Sequence, residues 1–215
     1  GSPDYVYLFC YDVFSASLRH PHQVPGSWMK GTALTLALVS TPREIASQLA
    51  ITTLLEKVPV ASSLANAFSE AGYTLALVGG PVRDAILGRL GNDLDFTTNA
   101  RPDATKKILK KWADSTWEPG IAFGTVAGKK DDLTVEVTTY RSENYDPESR
   151  KPEVNFGDSI EGDLSRRDFT INCLALELTT AKPEFIDLFN GVEDLAKKVL
   201  RAPGDPDVLF SDDPL

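Results

Sequence analysis

Apolar positions along the chain become periodic after residue 42. Within 43–55 they fall at Ile45, Leu49, Ile51, Leu54 and Leu55, a helical spacing opened by Pro42. Pro59 restarts the count, and Val60, Leu64, Ala67 and Phe68 form one face of a second helix that Ala71-Gly72 stops. Residues 73–78 are a short, continuous apolar run, the pattern of a buried strand. Gly79-Gly80-Pro81 breaks the run and opens a helix through Leu87. Proline suits the first helical turn because the N–H it lacks would have no partner there. A second strand is predicted over 93–98, then a helix over 103–113 with Lys106, Lys107, Lys110 and Lys111 on its exposed face. Residues 123–127 and 133–140 predict a hairpin turning at 128–132. In its second arm Leu133, Val135 and Val137 face one way, and Thr134, Glu136 and Thr138 the other. Residues 142–158 are polar, contain two prolines and lack a period, which predicts a mobile loop. A helical turn at 163–167, strands at 171–178 and 185–188, and a helix at 192–198 complete the pattern. There is no internal repeat. Strands interleaved with helices, plus one hairpin, indicate an α/β (α+β) domain with a mixed sheet.

Composition narrows the function classes. With 42% hydrophobic and 25% charged residues, the chain can build a true core. Its formal net charge of -9 argues against a surface that binds nucleic acid all over. An RNA partner would need a local patch, and Lys106, Lys107, Lys110, Lys111, Lys129 and Lys130 are the only basic clusters; solvated faces explain them equally well. Cys10 and Cys173 show no metal-binding spacing; they could form one disulfide, but a reduced, cytoplasmic protein is the expectation. No apolar run reaches the roughly 18 residues of a membrane span. Residues 1–42 read as an N-terminal extension, partly non-native, since the chain opens Gly1-Ser2 and its only methionine is Met29. The stretch after Met29 is a poor secretory signal without a small-residue cleavage site. His20 and His22 lack a nearby third ligand and read as solvated.

Two segments carry chemistry. Asp93-Leu94-Asp95 opens a strand, so its carboxylates share one face, roughly 6.6 Å apart along the chain, with Leu94 turned to the core. Such a pair can hold hard divalent cations, Mg²⁺ above all, together with substrate phosphate oxygens. A solvated strand end would look the same. The second segment is the glycine turn before it. Gly79 and Gly80 let an anion approach the backbone at a helix start, and Arg83 adds a guanidinium to the same phosphate, with Asp84 placed to brace it. Glu136 offers a third carboxylate, the complement a two-metal site wants, although an exposed strand glutamate is equally ordinary.

The order of these pieces is specific. L-V-G-G-P-V-R-D-A-I-L-G-R (77–89), D-L-D-F-T-T (93–98), V-E-V-T-T-Y-R (135–141) and D-L-S-R-R-D-F-T-I-N-C-L-A (163–175) resemble the class II tRNA nucleotidyltransferase (CCA-adding) and bacterial poly(A) polymerase family. The resemblance runs from about residue 60 through I-D-L-F-N-G (186–191). It implies a nucleotidyltransferase fold, with a mixed five-stranded sheet flanked by helices, over 43–200, and the start of a helical neck at 201–215. It implies metal binding by Asp93 and Asp95 and a third carboxylate at Glu136. Triphosphate contacts fall at Gly80 and Arg83 beside Gly79, and a nucleotide-contacting arginine at Arg167, with Asp163 and Asn172 in support. Without it, Arg166-Arg167-Asp168 would read as a surface ion-pair cluster.

The implied reaction is Mg²⁺-dependent attack of a tRNA or other RNA 3′-hydroxyl on the α-phosphorus of CTP or ATP. CCA addition leads; poly(A) synthesis and a non-catalytic nucleotide- or RNA-binding module remain the alternatives. In that family the downstream helical domains choose the base and grip the RNA, so this chain is expected to hold the catalytic head without them.

Overall fold

The computed structural model describes residues 41–142 and 155–204. Residues 1–40 of the expected N-terminal extension, most of the polar loop and residues 205–215 of the expected neck lie outside the described residues. Helix α1 (Pro42–Lys57) starts where Thr41 accepts the Glu44 N–H while the Glu44 carboxylate takes the Thr41 N–H, a reciprocal cap on two otherwise orphaned donors. Helix α2 (Ala61–Glu70) follows, then strand β1 (Ala76–Val78), helix α3 (Gly80–Ile86), strand β2 (Asp93–Thr98) and helix α4 (Pro102–Trp112). Strand β3 (Ser115–Gly120) passes through a 3₁₀ turn (Ile121–Phe123) into β4 (Thr125–Lys130) and β5 (Leu133–Thr139). Short strands β6 (Arg141–Ser142) and β7 (Asn155–Phe156) pair with each other. Helix α5 (Ile160–Ser165), a 3₁₀ turn (Thr170–Asn172), β8 (Leu174–Glu177), β9 (Glu184–Asp187) and α6 (Gly191–Lys197) close the domain.

Among the described residues the main sheet has seven strands, in the order β3-β4-β5-β2-β1-β8-β9. Only β2 and β5 run parallel; every other neighbouring pair is antiparallel. That is two strands more than the resemblance implies, and one more than the hydrophobic pattern, which misses β3. Its sequence Ser-Thr-Trp-Glu-Pro-Gly lies at the edge of the sheet, where proline is tolerated and only one neighbour is required. Other elements shift. The run at 73–78 pairs only over Ala76–Val78, and the strand predicted from 171 begins at Leu174 because Thr170–Asn172 coil into a 3₁₀ turn. The hairpin arm predicted from 123 likewise begins at Thr125. The helical turn predicted at 163–167 starts earlier, where Ser159 caps Gly162.

The two faces of the sheet differ. Leu77, Leu94, Phe96, Val126, Val135, Val137, Leu174 and Leu176 point to one side, into a core completed by α1, α2, α3, α4 and α6. On the other side Ala76, Val78 and Ala175 pack on Leu164 of α5, which covers β1 and β8. Toward β5, β4 and β3 no described helix lies over that second face. Cys173 is a free, buried thiol whose hydrogen bond goes to the Phe169 carbonyl. No described helix is long and apolar enough to cross a membrane.

Candidate active site

The strand period places Asp93 and Asp95 on the second face, both exposed, with Leu94 buried between them. Register does the rest. Asp95 lies opposite Glu136 and Asp93 opposite Thr134 across the parallel β2–β5 pair, about 4.8 Å per strand spacing, so Glu136 flanks the pair on the β5 side. On the other flank β1 runs antiparallel to β2, with Ala76 opposite Thr97 and Leu77 opposite Phe96. Continuing that register brings the Gly79-Gly80 turn beside the two aspartates.

Gly79 has φ 72° and ψ -138°, a backbone conformation that side chains disfavour, and a Cβ there would stand 2.9 Å from Nη1 of Arg167. The guanidinium thus lies on the glycine. Arg83 folds back over Gly80, donating Nη1 to Asn172 Oδ1 at 2.8 Å and Nε to Asp84 Oδ1 at 3.1 Å. Asn172 in turn donates to Asp168 at 2.9 Å, so the 3₁₀ turn that displaced the predicted strand is what aims Asn172 at Arg83. We expect Gly79→Ala to destabilise the domain by about 1–3 kcal/mol, since it adds both strained backbone and a clash. Chemical denaturation of the purified variant measures this, and an unchanged midpoint would contradict the packing described.

Asp163 organises the far wall. Its side chain is only 1% exposed and accepts from Arg166 Nη2 at 2.8 Å, Arg167 Nη2 at 3.3 Å, the Arg141 backbone N–H at 3.1 Å and the Thr97 hydroxyl at 3.2 Å. Burial alone would raise its pKa. Arg166 and Arg167 outweigh it, with the hydrogen bonds from Arg166 and the Arg141 N–H, and hold the carboxyl below the usual carboxylate range. Arg166 and Arg167 are therefore partners of a buried carboxylate, and the surface-cluster alternative does not apply. Three guanidinium groups, those of Arg141, Arg166 and Arg167, gather about this one carboxylate, so positive charge exceeds negative there, and their buried Nε atoms have no hydrogen-bond partner among the described residues. Such a wall favours a polyanion.

Asp95 shows the opposite shift. Partial desolvation raises its pKa, Arg167 opposes this and Asp93 adds to it. Among the described residues no three His, Cys, Asp or Glu side chains converge into a metal cage of their own. The donor set nonetheless fits a hard divalent cation, since Mg²⁺ takes one or two carboxylates and fills its remaining positions with water and phosphate oxygens.

The residues expected at the site thus come together: Asp93, Asp95 and Glu136 in the middle, Gly79, Gly80, Arg83, Asn172 and Arg167 to the β1 side, and Asp163 over Thr97 of β2, where it holds Arg167. Sequence reasoning passed over Thr97, Arg141 and Arg166. Thr97 continues the alternation of Asp93 and Asp95 and was legible from it; the Arg141 contact runs through a backbone N–H and left no trace in composition. The lysines of α4 belong to the core-packed side of the sheet, where Lys106 pairs with Glu118 and Lys130 donates to the Trp112 carbonyl at 2.9 Å.

Residues 75–201 match the family described as the poly A polymerase head domain. A CCA-adding enzyme of Enterococcus faecalis is 41% identical over 166 residues, which cover 77% of this chain and 39% of the relative. One from Streptococcus pneumoniae is 45% identical over 147 residues, covering 68% and 35%. The CCA-adding enzyme of Bacillus stearothermophilus in complex with CTP superposes with a TM-score of 0.59 at 31% identity, over 71% of this chain and 35% of that one. A tRNA nucleotidyltransferase complexed with a primer tRNA and an incoming ATP analog gives 0.57 at 32% identity, over 70% and 41%. The chain therefore spans 39% and 35% of the lengths of these two curated relatives.

Proposed function

This chain belongs to the poly A polymerase head-domain family, and on that premise we propose that it is the catalytic head of a template-independent RNA nucleotidyltransferase. It joins CMP and AMP, drawn from CTP and ATP, to the 3′ end of tRNA in the cytoplasm. The observation that carries the reading is the row Gly79 turn–Asp95–Glu136, flanked by a guanidinium wall that holds more positive charge than its one carboxylate balances.

Each residue has a part. Asp93 and Asp95 hold divalent metal, which we take to be Mg²⁺, and Glu136 completes the carboxylate row from the neighbouring strand. Bound there, the metal supplies a lowered pKa for the attacking hydroxyl and charge neutralisation on the leaving pyrophosphate. Arg83, braced by Asp84 and Asn172, and Arg167, laid on Gly79, grip the triphosphate, while the side-chain-free turn leaves the Gly80 N–H open to a phosphate oxygen, those of Gly79, Val82 and Arg83 being bonded to the Leu174 and Gly79 carbonyls. Asp163 supports Arg167 rather than meeting nucleotide, because its oxygens are already occupied by four protein donors.

The test is incubation with tRNA lacking its 3′ end, Mg²⁺, and each labelled nucleotide in turn, alongside equilibrium binding of Mg²⁺–CTP and Mg²⁺–ATP. Ordered C and A incorporation supports CCA addition, and a long A tail moves the assignment to poly(A) synthesis. Nucleotide binding without any product leaves the binding-module reading. Failure to bind either nucleotide overturns the proposal.

A further inference from the structure

Two exposed aromatic residues share the face of the carboxylates, and no role described so far uses them. Trp117 on β3 lies opposite Ala127, and Ala127 lies opposite Glu136, so one row across the sheet reads Asp95, Glu136, Ala127, Trp117. Residues in register share a face. The neighbouring Glu118 confirms the alternation, since it reaches Lys106 of α4 on the opposite side. Ala127 is fully buried, while Trp117 beside it on the edge strand remains 41% exposed. Phe123, 52% exposed, belongs to the same surface. A Cβ on Gly120 would meet Thr125 at 3.6 Å and the Phe123 ring at 3.9 Å, and Thr125 bonds the hydroxyl of Thr138, two residues beyond Glu136 on its face.

Direction decides what these rings meet. In phosphoryl transfer the attacking and leaving oxygens lie roughly in line through the phosphorus. The groups that grip the triphosphate, Arg83 and Arg167, stand at the Gly79–Gly80 turn on the β1 side of the aspartates. The attacking hydroxyl must then arrive from the β5–β4–β3 side, which no described helix covers. Trp117 is two strand spacings, about 10 Å, from Glu136, a separation that one or two nucleotides bridge. Aromatic faces accept any base by stacking, as an acceptor whose terminal base changes with each addition requires.

We propose that Trp117 and Phe123 form a stacking platform for the 3′-terminal bases of the acceptor RNA, setting the 3′-hydroxyl against the carboxylate row. The inference rests on the nucleotidyltransferase reading above. Base stacking on one aromatic side chain changes affinity by roughly 5- to 150-fold. Trp117→Ala and Phe123→Ala should each raise KM for the RNA within that range, leaving Mg²⁺–CTP binding and the rate at saturating RNA near wild type. Trp117→Phe should recover most of the loss and Trp117→Leu should not, which separates stacking from mere apolar packing. RNA carrying a photoreactive 4-thiouridine at its 3′ end should crosslink to Trp117 or Phe123. Crosslinks confined to other residues, an unchanged KM in both alanine variants, or an altered oligomeric state as the only effect would overturn the platform. If Mg²⁺–CTP binding persists in that case, the catalytic reading stands without it; if the wild-type protein binds no nucleotide, both fall together.

Discussion

Replacing Asp163 by alanine is expected to lower the free energy of unfolding by about 3–5 kcal/mol, the cost of leaving buried guanidinium groups without their anion. The carboxylate is 1% exposed and accepts four hydrogen bonds, two from the segment that follows α5 and one each from β6 and β2. Removing it strands Arg166 and Arg167 and frees the Thr97 hydroxyl and the Arg141 N–H at once. Against a typical domain stability of about 5–15 kcal/mol, this loss is large enough to leave much of the protein unfolded. Asp163→Asn keeps the shape and removes the charge, so it remains folded more often and isolates the electrostatic part. The pH dependence has a definite sign. The pKa of Asp163 is held below its unfolded value, so its stabilising contribution is complete above about pH 4, near the unfolded pKa, and is lost as pH falls through the folded value. The stability gap between wild type and Asp163→Asn should therefore be full at neutral pH and shrink in acid. A gap that widened in acid, measured by denaturant titration across pH, would refute the assignment.

Asp95→Ala is expected to reduce nucleotidyl transfer by at least about 10²–10³-fold, the scale of losing one group that stabilises charge in a transition state. The fold should survive. Asp95 is exposed at the start of its contact row, and its pKa is raised by desolvation, opposed by Arg167 and reinforced by Asp93. A carboxyl whose folded pKa exceeds its unfolded value reduces stability as pH rises through that window. Asp95→Asn should accordingly melt at or above the wild-type temperature at neutral pH in the absence of metal, while remaining inactive. Excess Mg²⁺ should stabilise the wild type and leave the variant unmoved, because only the ionised pair attracts the cation. The raised pKa also means that protons compete with metal at a higher pH than for an ordinary carboxylate, so the Mg²⁺ needed for half-maximal rate should climb as the medium is acidified. Near-wild-type incorporation of labelled nucleotide by Asp95→Ala would sink the metal assignment.

These two aspartates lie on opposite sides of what a sequence can reveal. The period-two alternation that puts Asp93 and Asp95 on one face is a property of any strand, and a strand over 93–98 was readable from its apolar residues. The glycine turn was legible for the same kind of reason, since no side chain tolerates Gly79's φ of 72° comfortably. Local period was less helpful for β3, where a proline and a tryptophan at the sheet edge obey no buried pattern. It also misled at 171–173, where an apolar-looking run coils because Thr170 bonds Asp194 and Cys173 turns its N–H back to Thr170.

The chain by itself determined which residues alternate, where the backbone must be free of side chains, and the order of motifs that resembles the nucleotidyltransferase family. The tertiary structure decided who stands next to whom. Glu136 flanks Asp95 only because β5 pairs in parallel with β2 at one register, and a slip of one residue would turn it into the core. Asp163 gathers Arg141, Arg166, Arg167 and Thr97 from three segments because α5 packs Leu164 onto Ala76 and Val78. Trp117 enters the same row through two further strand pairings. Register and packing are long-range compromises among whole faces, and no window of neighbouring residues contains them.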